Sequence, residues 1–279
     1  MRSLRAQILL VGDEILDGYV ADDNLRPLAE CLRAHGIALE RVSVLPDDVA
    51  VIAAELEQTL AAPRPALVIT TGGTGGTWDD VTYKAVSVAL GVPLHVDPQL
   101  ETSVHRLLDW AAAAGREADE DAVAAMMRIA TVPEGSIVHF LGGWLVCVQL
   151  DLAGGLRTDT GCTLLILPGP PGHVRQLVDE LIAPSILGAG DRAIAVAEVQ
   201  HDYPETLVVG ELGRIDGRLT LKMGSYPGDP MLVRFRGAPK EVAAAAAEFR
   251  AYLEVLDSQP SAARVRAAWS TARTTWTTE

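Results

Sequence analysis

Leu67-Val68-Ile69-Thr70-Thr71-Gly72-Gly73-Thr74-Gly75-Gly76-Thr77-Trp78-Asp79-Asp80 runs from an apolar segment straight into a glycine-rich loop with hydroxyls and paired carboxylates. A short continuous apolar run of this kind reads as a strand buried on both faces, the form that parallel sheets use. Glycines admit positive φ and let main-chain N–H groups close on an anion, while Thr74 and Thr77 add hydroxyl donors before a helix expected near Asp80. The N-terminus of that helix would attract an anion further. Asp79 and Asp80 would repel a bare pyrophosphate, so the loop reads as one that holds phosphate through a divalent cation, magnesium. It has neither the Gly-Lys-Ser/Thr ending of a Walker loop nor the three-glycine spacing of a Rossmann fingerprint. The plainer alternative is a flexible strand-to-helix turn in which Asp79 or Asp80 caps the helix.

Working outward, residues 6–11, 39–45 and 66–71 form apolar runs separated by helical patterns, which is a parallel α/β signature. Leu25, Leu28, Ala29 and Leu32 keep helical spacing before Gly36, and Val49, Ile52, Ala53, Leu56 and Leu60 do so before Pro63. A further helix is predicted over 81–90. In open parallel sheets, ligands sit beyond the C-terminal ends of the strands. Gly12-Asp13-Glu14, Pro46-Asp47-Asp48 and the glycine loop all lie at such ends.

Residues 98–114 and 120–129 read as helices of a lobe over the site, followed by strands at 137–140, 145–150 and 163–167 and a helix over 174–187. Pro168-Gly169-Pro170-Pro171-Gly172 makes a rigid turn at another strand end. From about residue 193 the pattern changes to a smaller α+β unit, with helices at 204–212 and 239–256 and strands at 219–223 and 231–235. Residues 258–279 read as a tail without specified structure. The expected division is therefore 1–190, 191–257 and 258–279.

The formal net charge of −14 argues against a nucleic-acid partner, because phosphate backbones are bound by clustered Lys and Arg. No apolar run reaches the roughly 18 residues of a membrane span, and no signal-peptide pattern opens the chain. These features lead to an expectation of a cytoplasmic protein. Cys31, Cys147 and Cys162 lack metal-ligand spacing and read as buried free thiols. The six histidines show no paired spacing.

The ordered markers Gly12-Asp13-Glu14-Ile15-Leu16 with Gly18, Asp22 and Asn24, then Asp47-Asp48, Thr71-Gly72-Gly73-Thr74-Gly75 with Asp79-Asp80, and Leu167-Pro168-Gly169-Pro170-Pro171 carry a family likeness. The chain resembles the molybdopterin-binding fold family, and within it the amino-terminal part of the CinA-like members, over residues 7–256. Gly224-Ser225-Tyr226-Pro227 resembles that family's second, KH-like domain. The resemblance implies a three-layer α/β fold with a mostly parallel sheet and a smaller α+β domain. It also implies a molybdopterin or nucleotide-diphosphate ligand, magnesium at the carboxylates, and hydrolysis of ADP-ribose at its pyrophosphate. The amidase domain that often follows in this family is not expected here. Homo-oligomers are common in the family, so a homodimer is expected. Three departures stand out. The family's Gly-Pro-Thr reads Gly75-Gly76-Thr77, a family glutamate is replaced by Lys84, and Met127-Arg128 stands where an Asn-Arg pair is expected.

With the resemblance in hand, Asp13, Asp47 and Asp80 are the expected magnesium residues, and Asp79 positions water or supports the metal from behind. Gly12, Thr71, Gly72, Gly73, Thr74, Gly75 and Thr77 are expected around the phosphates. Glu14 orients a ribose or acts as a base, and Lys84 contacts phosphate directly or marks lost chemistry. Asn24 reads a base or caps a turn, Asp47 and Asp48 also read as turn or cap residues, and Pro168 and Gly169 shape the pocket wall. Three functions follow: a magnesium-dependent pyrophosphatase of ADP-ribose-like nucleotides, a molybdopterin-binding or adenylyl-transferring protein of molybdenum cofactor biosynthesis, and a non-catalytic nucleotide- or pterin-binding module.

Overall fold

A computed structural model of the chain describes residues 4–61, 63–142, 145–158, 160–188, 194–218 and 221–276. It divides into two compact units, Met1–Asp191 and Arg192–Glu279. Among the described residues, no helix is long and apolar enough to cross a membrane.

In the first unit β1 (Arg5–Val11), α1 (Asp13–Leu16), α2 (Leu25–Ala34), β2 (Ala38–Leu45), α3 (Val49–Leu60), β3 (Leu67–Thr71) and α4 (Thr82–Leu90) follow one another. Next come β4 (Leu94–Val96), α5 (Pro98–Ala113), α6 (Glu120–Ile129), β5 (Thr131–Pro133), β6 (Ile137–Leu141), β7 (Leu145–Leu152), β8 (Cys162–Leu167) and α7 (Pro171–Leu177). A wider π-type winding extends α7 to Leu187. The six-stranded sheet has the order β2-β1-β3-β8-β7-β6, parallel through β8 and antiparallel at β7 and β6. This is the expected α/β architecture. β4 and β5 pair as a separate short ribbon that the sequence reading did not anticipate.

Alternation of side chains along the central strands gives the sheet two covered faces. Ile8, Leu10, Ile69, Leu165 and Leu167 pack with Leu28 and Leu32 of α2 and Val174 and Leu177 of α7. Leu9, Val11, Val68, Leu164 and Ile166 pack on the other face with Ile52 and Leu56 of α3 and Ala85 and Val86 of α4. All five residues of β3 are buried, Thr70 and Thr71 included, which explains why the strand carries no charged residue.

The second unit contains β9 (Ala195–His201), α8 (Glu205–Asp216), β10 (Lys222–Tyr226), β11 (Met231–Gly237), α9 (Pro239–Asp257) and α10 (Ala262–Trp276). Its antiparallel sheet has the order β10-β11-β9, and Val233 and Phe235 pack against Val208, Ile215, Val242, Ala246 and Phe249. Two expectations change here. The strand expected at 219–223 is β10, set by pairing Lys222 with Arg236 and Tyr226 with Leu232; residues 219 and 220 lie outside the described residues. Most of the expected tail is α10, where Ala262 is buried and Val265 packs on the core of this unit, while residues 277–279 lie outside the described residues.

Candidate functional site

The ends of the four parallel strands converge on one rim. Gly12 N–H donates to Leu45 O at 3.0 Å and Gly72 N–H donates to Leu167 O at 3.2 Å, stitching β1 to β2 and β3 to β8 just past the strand ends. Gly72 has φ +100°, and a Cβ on it would lie 2.0 Å from Val11 O, so the backbone itself demands glycine. The loop then turns onto α4, where buried Thr82 donates its N–H to Gly73 O at 2.9 Å and its hydroxyl to Gly72 O at 2.8 Å.

The next contacts give Asp80 partners within its own loop. Its Oδ1 accepts from Gly75 N–H at 2.6 Å, and its Oδ2 accepts from Thr77 N–H at 2.8 Å and from the Thr77 hydroxyl at 2.5 Å. Two backbone donors expected for phosphate, those of Gly75 and Thr77, are thus held by the loop's own carboxylate. At the neighbouring strand ends, Asp13 and Asp47 bond each other: Asp47 Oδ2 accepts from Asp13 N–H at 3.0 Å and Asp13 Oδ1 from Asp47 N–H at 3.4 Å. Asp13, Asp47 and Asp80 are not brought together as a ligand set, and among the described residues no three His, Cys, Asp or Glu side chains form a metal-holding group. Asp48 takes its plain reading as the N-cap of α3, accepting from Ala50 and Val51 N–H at 2.8 and 3.0 Å.

Asn24 acts as a pin through its amide nitrogen. It is 6% exposed, and its Nδ2 donates to Thr71 Oγ1 at 3.1 Å and to Gly169 O at 2.7 Å, while the Thr71 hydroxyl donates to Pro168 O at 2.8 Å. The segment after β1, the end of β3 and the proline turn after β8 are thereby locked together. Lys84 stands exposed on α4 and is not part of the pocket wall.

These elements enclose a cavity of about 440 Å³. Gly12, Glu14, Asp47, Asp79 and Asp80 line it on the acidic side, and Gly72, Gly73, Thr74 and Gly75 form its floor. Burial pushes the Asp47 carboxyl up; the Asp13 N–H offsets part of this, and the charges of Asp13, Glu14 and Asp79 add to it. The rest of the lining is Pro168, Gly169, Pro170 and His173, together with Ile129 of α6, Tyr83 of α4 and Leu145 and Val146 of β7. Sequence reasoning missed Tyr83, His173 and the apolar wall. His173 closes the Pro-Gly-Pro-Pro-Gly run and was within reach of it, whereas Tyr83 carried no signal beyond helical spacing. Burial pushes the Tyr83 phenol well above its ordinary range, with Cys147 and Asp80 reinforcing the shift, so it remains a neutral O–H donor.

A contact across the fold explains one departure. Arg128 of α6 donates its Nε–H to Gly76 O at 3.0 Å, with a second bond from Nη2. A Cβ on Gly76 would lie 2.5 Å from Ala125 O. The residue standing where the family has proline is therefore the seat on which α6 rests.

The comparisons with known proteins agree with this architecture. Residues 7–188 match the family described as probable molybdopterin binding domain. A CinA-like protein of Mycolicibacterium gilvum is 34% identical over 182 residues, covering 65% of this chain and 41% of that protein. One from Desulfosudis oleivorans is 32% identical over 210 residues, covering 73% and 46%. A putative competence-damage inducible protein of Desulforudis audaxviator is 31% identical over 245 residues, covering 81% and 55%. The chain thus spans about half the length of these curated relatives. Among solved structures, the protein CinA with unknown function from Thermoplasma acidophilum aligns with a TM-score of 0.50 at 24% identity, covering 63% of this chain and 94% of that one, a likeness of fold. The chain belongs to the molybdopterin-binding domain family.

Proposed function

We propose that this pocket binds a phosphorylated nucleotide or pterin through magnesium, and that its reaction is hydrolysis of the pyrophosphate bond of ADP-ribose-like nucleotides. The observation that carries the reading is the meeting of Glu14, Asp47 and Asp79 with the backbone of Gly73 and Thr74 in one cavity. The donor set fits magnesium. It consists of hard carboxylate oxygens, and magnesium commonly takes one or two carboxylates and completes its shell with substrate phosphates and water, so a preassembled cage is not required. Asp47 and Asp79, with Glu14 beside them, would hold the ion, which when bound supplies charge neutralisation and polarisation of phosphorus.

The chain's own groups divide the remaining work. Gly73 and Thr74 present N–H and hydroxyl donors to phosphate oxygens, and the Tyr83 phenol donates from the pocket wall. Glu14 orients the ribose. Pro168, held by the Thr71 hydroxyl, and Gly169, held by the Asn24 amide, keep that part of the lining fixed against the strand ends. The family description favours a second reading, molybdopterin binding, for which the same phosphate floor would serve and adenylyl transfer in molybdenum cofactor biosynthesis would be the chemistry.

The test measures AMP released from ADP-ribose with and without magnesium, using wild type, Asp47→Asn and Asp79→Asn. Asp80 is avoided because its loss would unpin the loop and mix structure with chemistry. Metal-dependent AMP release that falls at least about a hundredfold in both variants is expected, the scale of losing one transition-state stabilising group. Absence of turnover in wild type, with molybdopterin retained on the purified protein, would replace hydrolysis by the second reading.

A further inference from the structure

Trp78 sits in the glycine loop with 88% of its surface exposed. Burying a Trp side chain removes about 150–250 Å² from water, so a loop that holds one outward forgoes a large gain. The loop leaves it little choice. Asp80 N–H donates to Thr77 O at 3.3 Å, closing a turn with Trp78 and Asp79 at its tip, a position where small polar residues are usual. On one side of the tip the Asp80 carboxylate grips Thr77, and just before it Arg128 grips Gly76. The indole is therefore presented on a braced turn. Its sequence neighbour Asp79 lines the pocket, as do Asp80 and Gly75. Trp78 is not itself part of the lining; it stands at the edge of the pocket, on the same turn that carries Asp79 and Asp80 into it.

We infer that Trp78 is the ring-recognition residue of this pocket: it stacks on the planar heterocycle of a ligand whose phosphates lie on the glycine floor. The inference rests on the phosphate-binding reading above and adds the part of the ligand that the glycine floor and the carboxylates cannot select. Phosphate and cation fix where the ligand sits; the indole selects ligands that carry a flat ring. Nucleobase and pterin share that chemistry.

Calorimetric binding in the presence of magnesium separates the two halves of the ligand. The proteins are wild type, Trp78→Phe and Trp78→Ala; the probes are AMP, 6-hydroxymethylpterin diphosphate and inorganic pyrophosphate. Because the side chain is exposed, both variants are expected to melt as wild type does. At least one ring-bearing probe is expected to weaken about tenfold in Trp78→Ala and to recover in Trp78→Phe, the scale of base–aromatic stacking, while pyrophosphate binds unchanged. Which probe responds identifies the ring as purine or pterin. Equal affinity of wild type and Trp78→Ala for the ring-bearing probes overturns the assignment, as does a matching loss for pyrophosphate, which would mark a loop-shaping role. Wild type that binds pyrophosphate but neither ring overturns it while leaving the phosphate floor standing; wild type that binds none of the three overturns both readings.

Discussion

Asp80 shows how one carboxylate changes meaning when its partners are known. Read in sequence beside Asp79, it is a metal ligand; in the fold its two oxygens satisfy Gly75 and Thr77, so the glycine loop carries its own anion. Asp80→Ala leaves those donors without a partner and should lower stability by about 1–2 kcal/mol, the usual cost of deleting a capping carboxylate, as read from urea denaturation. Rescue of full stability by Ala would show that water replaces the carboxylate at no cost. Asp47 carries a prediction of opposite sign. Its carboxyl is raised by burial and by nearby Asp13, Glu14 and Asp79. A raised native value means that the folded chain keeps this proton where the unfolded chain has lost it. The stability from this group is therefore complete below the ordinary aspartate value of about 3.9 and is lost as pH rises through the native value. Asp47→Asn should accordingly melt above wild type at neutral pH, with the gap closing as the pH falls toward that ordinary value. The same variant is expected to lose magnesium-dependent activity, so the carboxylate weakens the fold that holds it. A melting curve indistinguishable from wild type at neutral pH would remove the electrostatic argument.

At the scale of elements, the central parallel strands were legible because burial on both faces leaves them rich in apolar residues, as in β3 with every residue buried, whereas the edge strand β2 carries exposed Glu40 and Arg41. The helices α2, α3 and α4 were legible because each shows one apolar stripe to the sheet. What escaped were pieces whose stability is borrowed. β4 and β5 have three residues each, too few for any period, and exist because Leu94, His95 and Val96 pair with Pro133, Val132 and Thr131. The site divided in the same way. Its glycine floor and acidic rim lie within short motifs, while its apolar wall comes from α6 and β7 and could be assembled by the fold alone. The bond from Arg128 to Gly76 spans 52 residues and has no local signature. It makes α6 a strap across the loop, and Gly76 is where the strap presses. Gly76→Ala brings a methyl to 2.5 Å from Ala125 O, so the backbone on one side of the contact has to move, and α6 is expected to be the side that does. A cost of about 1–3 kcal/mol is expected, as for other overpacked contacts, with faster hydrogen exchange in α6 than in α3. Unchanged exchange in α6 would mean that the loop yields instead of the helix.

At the scale of the molecule, three cores serve two units, and the cysteines sample the first unit from both sides of its sheet. Cys31 and Cys147 belong to the face covered by α2 and α7, and Cys162 to the face covered by α3 and α4. All three are buried free thiols. Burial pushes Cys31 up to about 11, with Asp179 adding to the shift, and pushes Cys147 and Cys162 up to about 12. A free cysteine has a pKa near 8.5, so at about pH 8 each native thiol holds far less reactive thiolate than the unfolded chain does. Iodoacetamide labelling followed by mass spectrometry therefore times the opening of each face. Both faces share β1, β3 and β8, so neither can come apart without stripping strands that the other needs. The expected result is slow labelling of all three cysteines with one common rate in native buffer, and rapid labelling of all three in denaturant. A ligand that binds the pocket should slow the three by the same factor, because binding to the folded form lowers the open population for the whole unit. Faster labelling of Cys31 and Cys147 than of Cys162, with only Cys162 protected by ligand, would show instead that the α2 and α7 face opens separately and that the glycine loop is anchored to the α3 and α4 face alone.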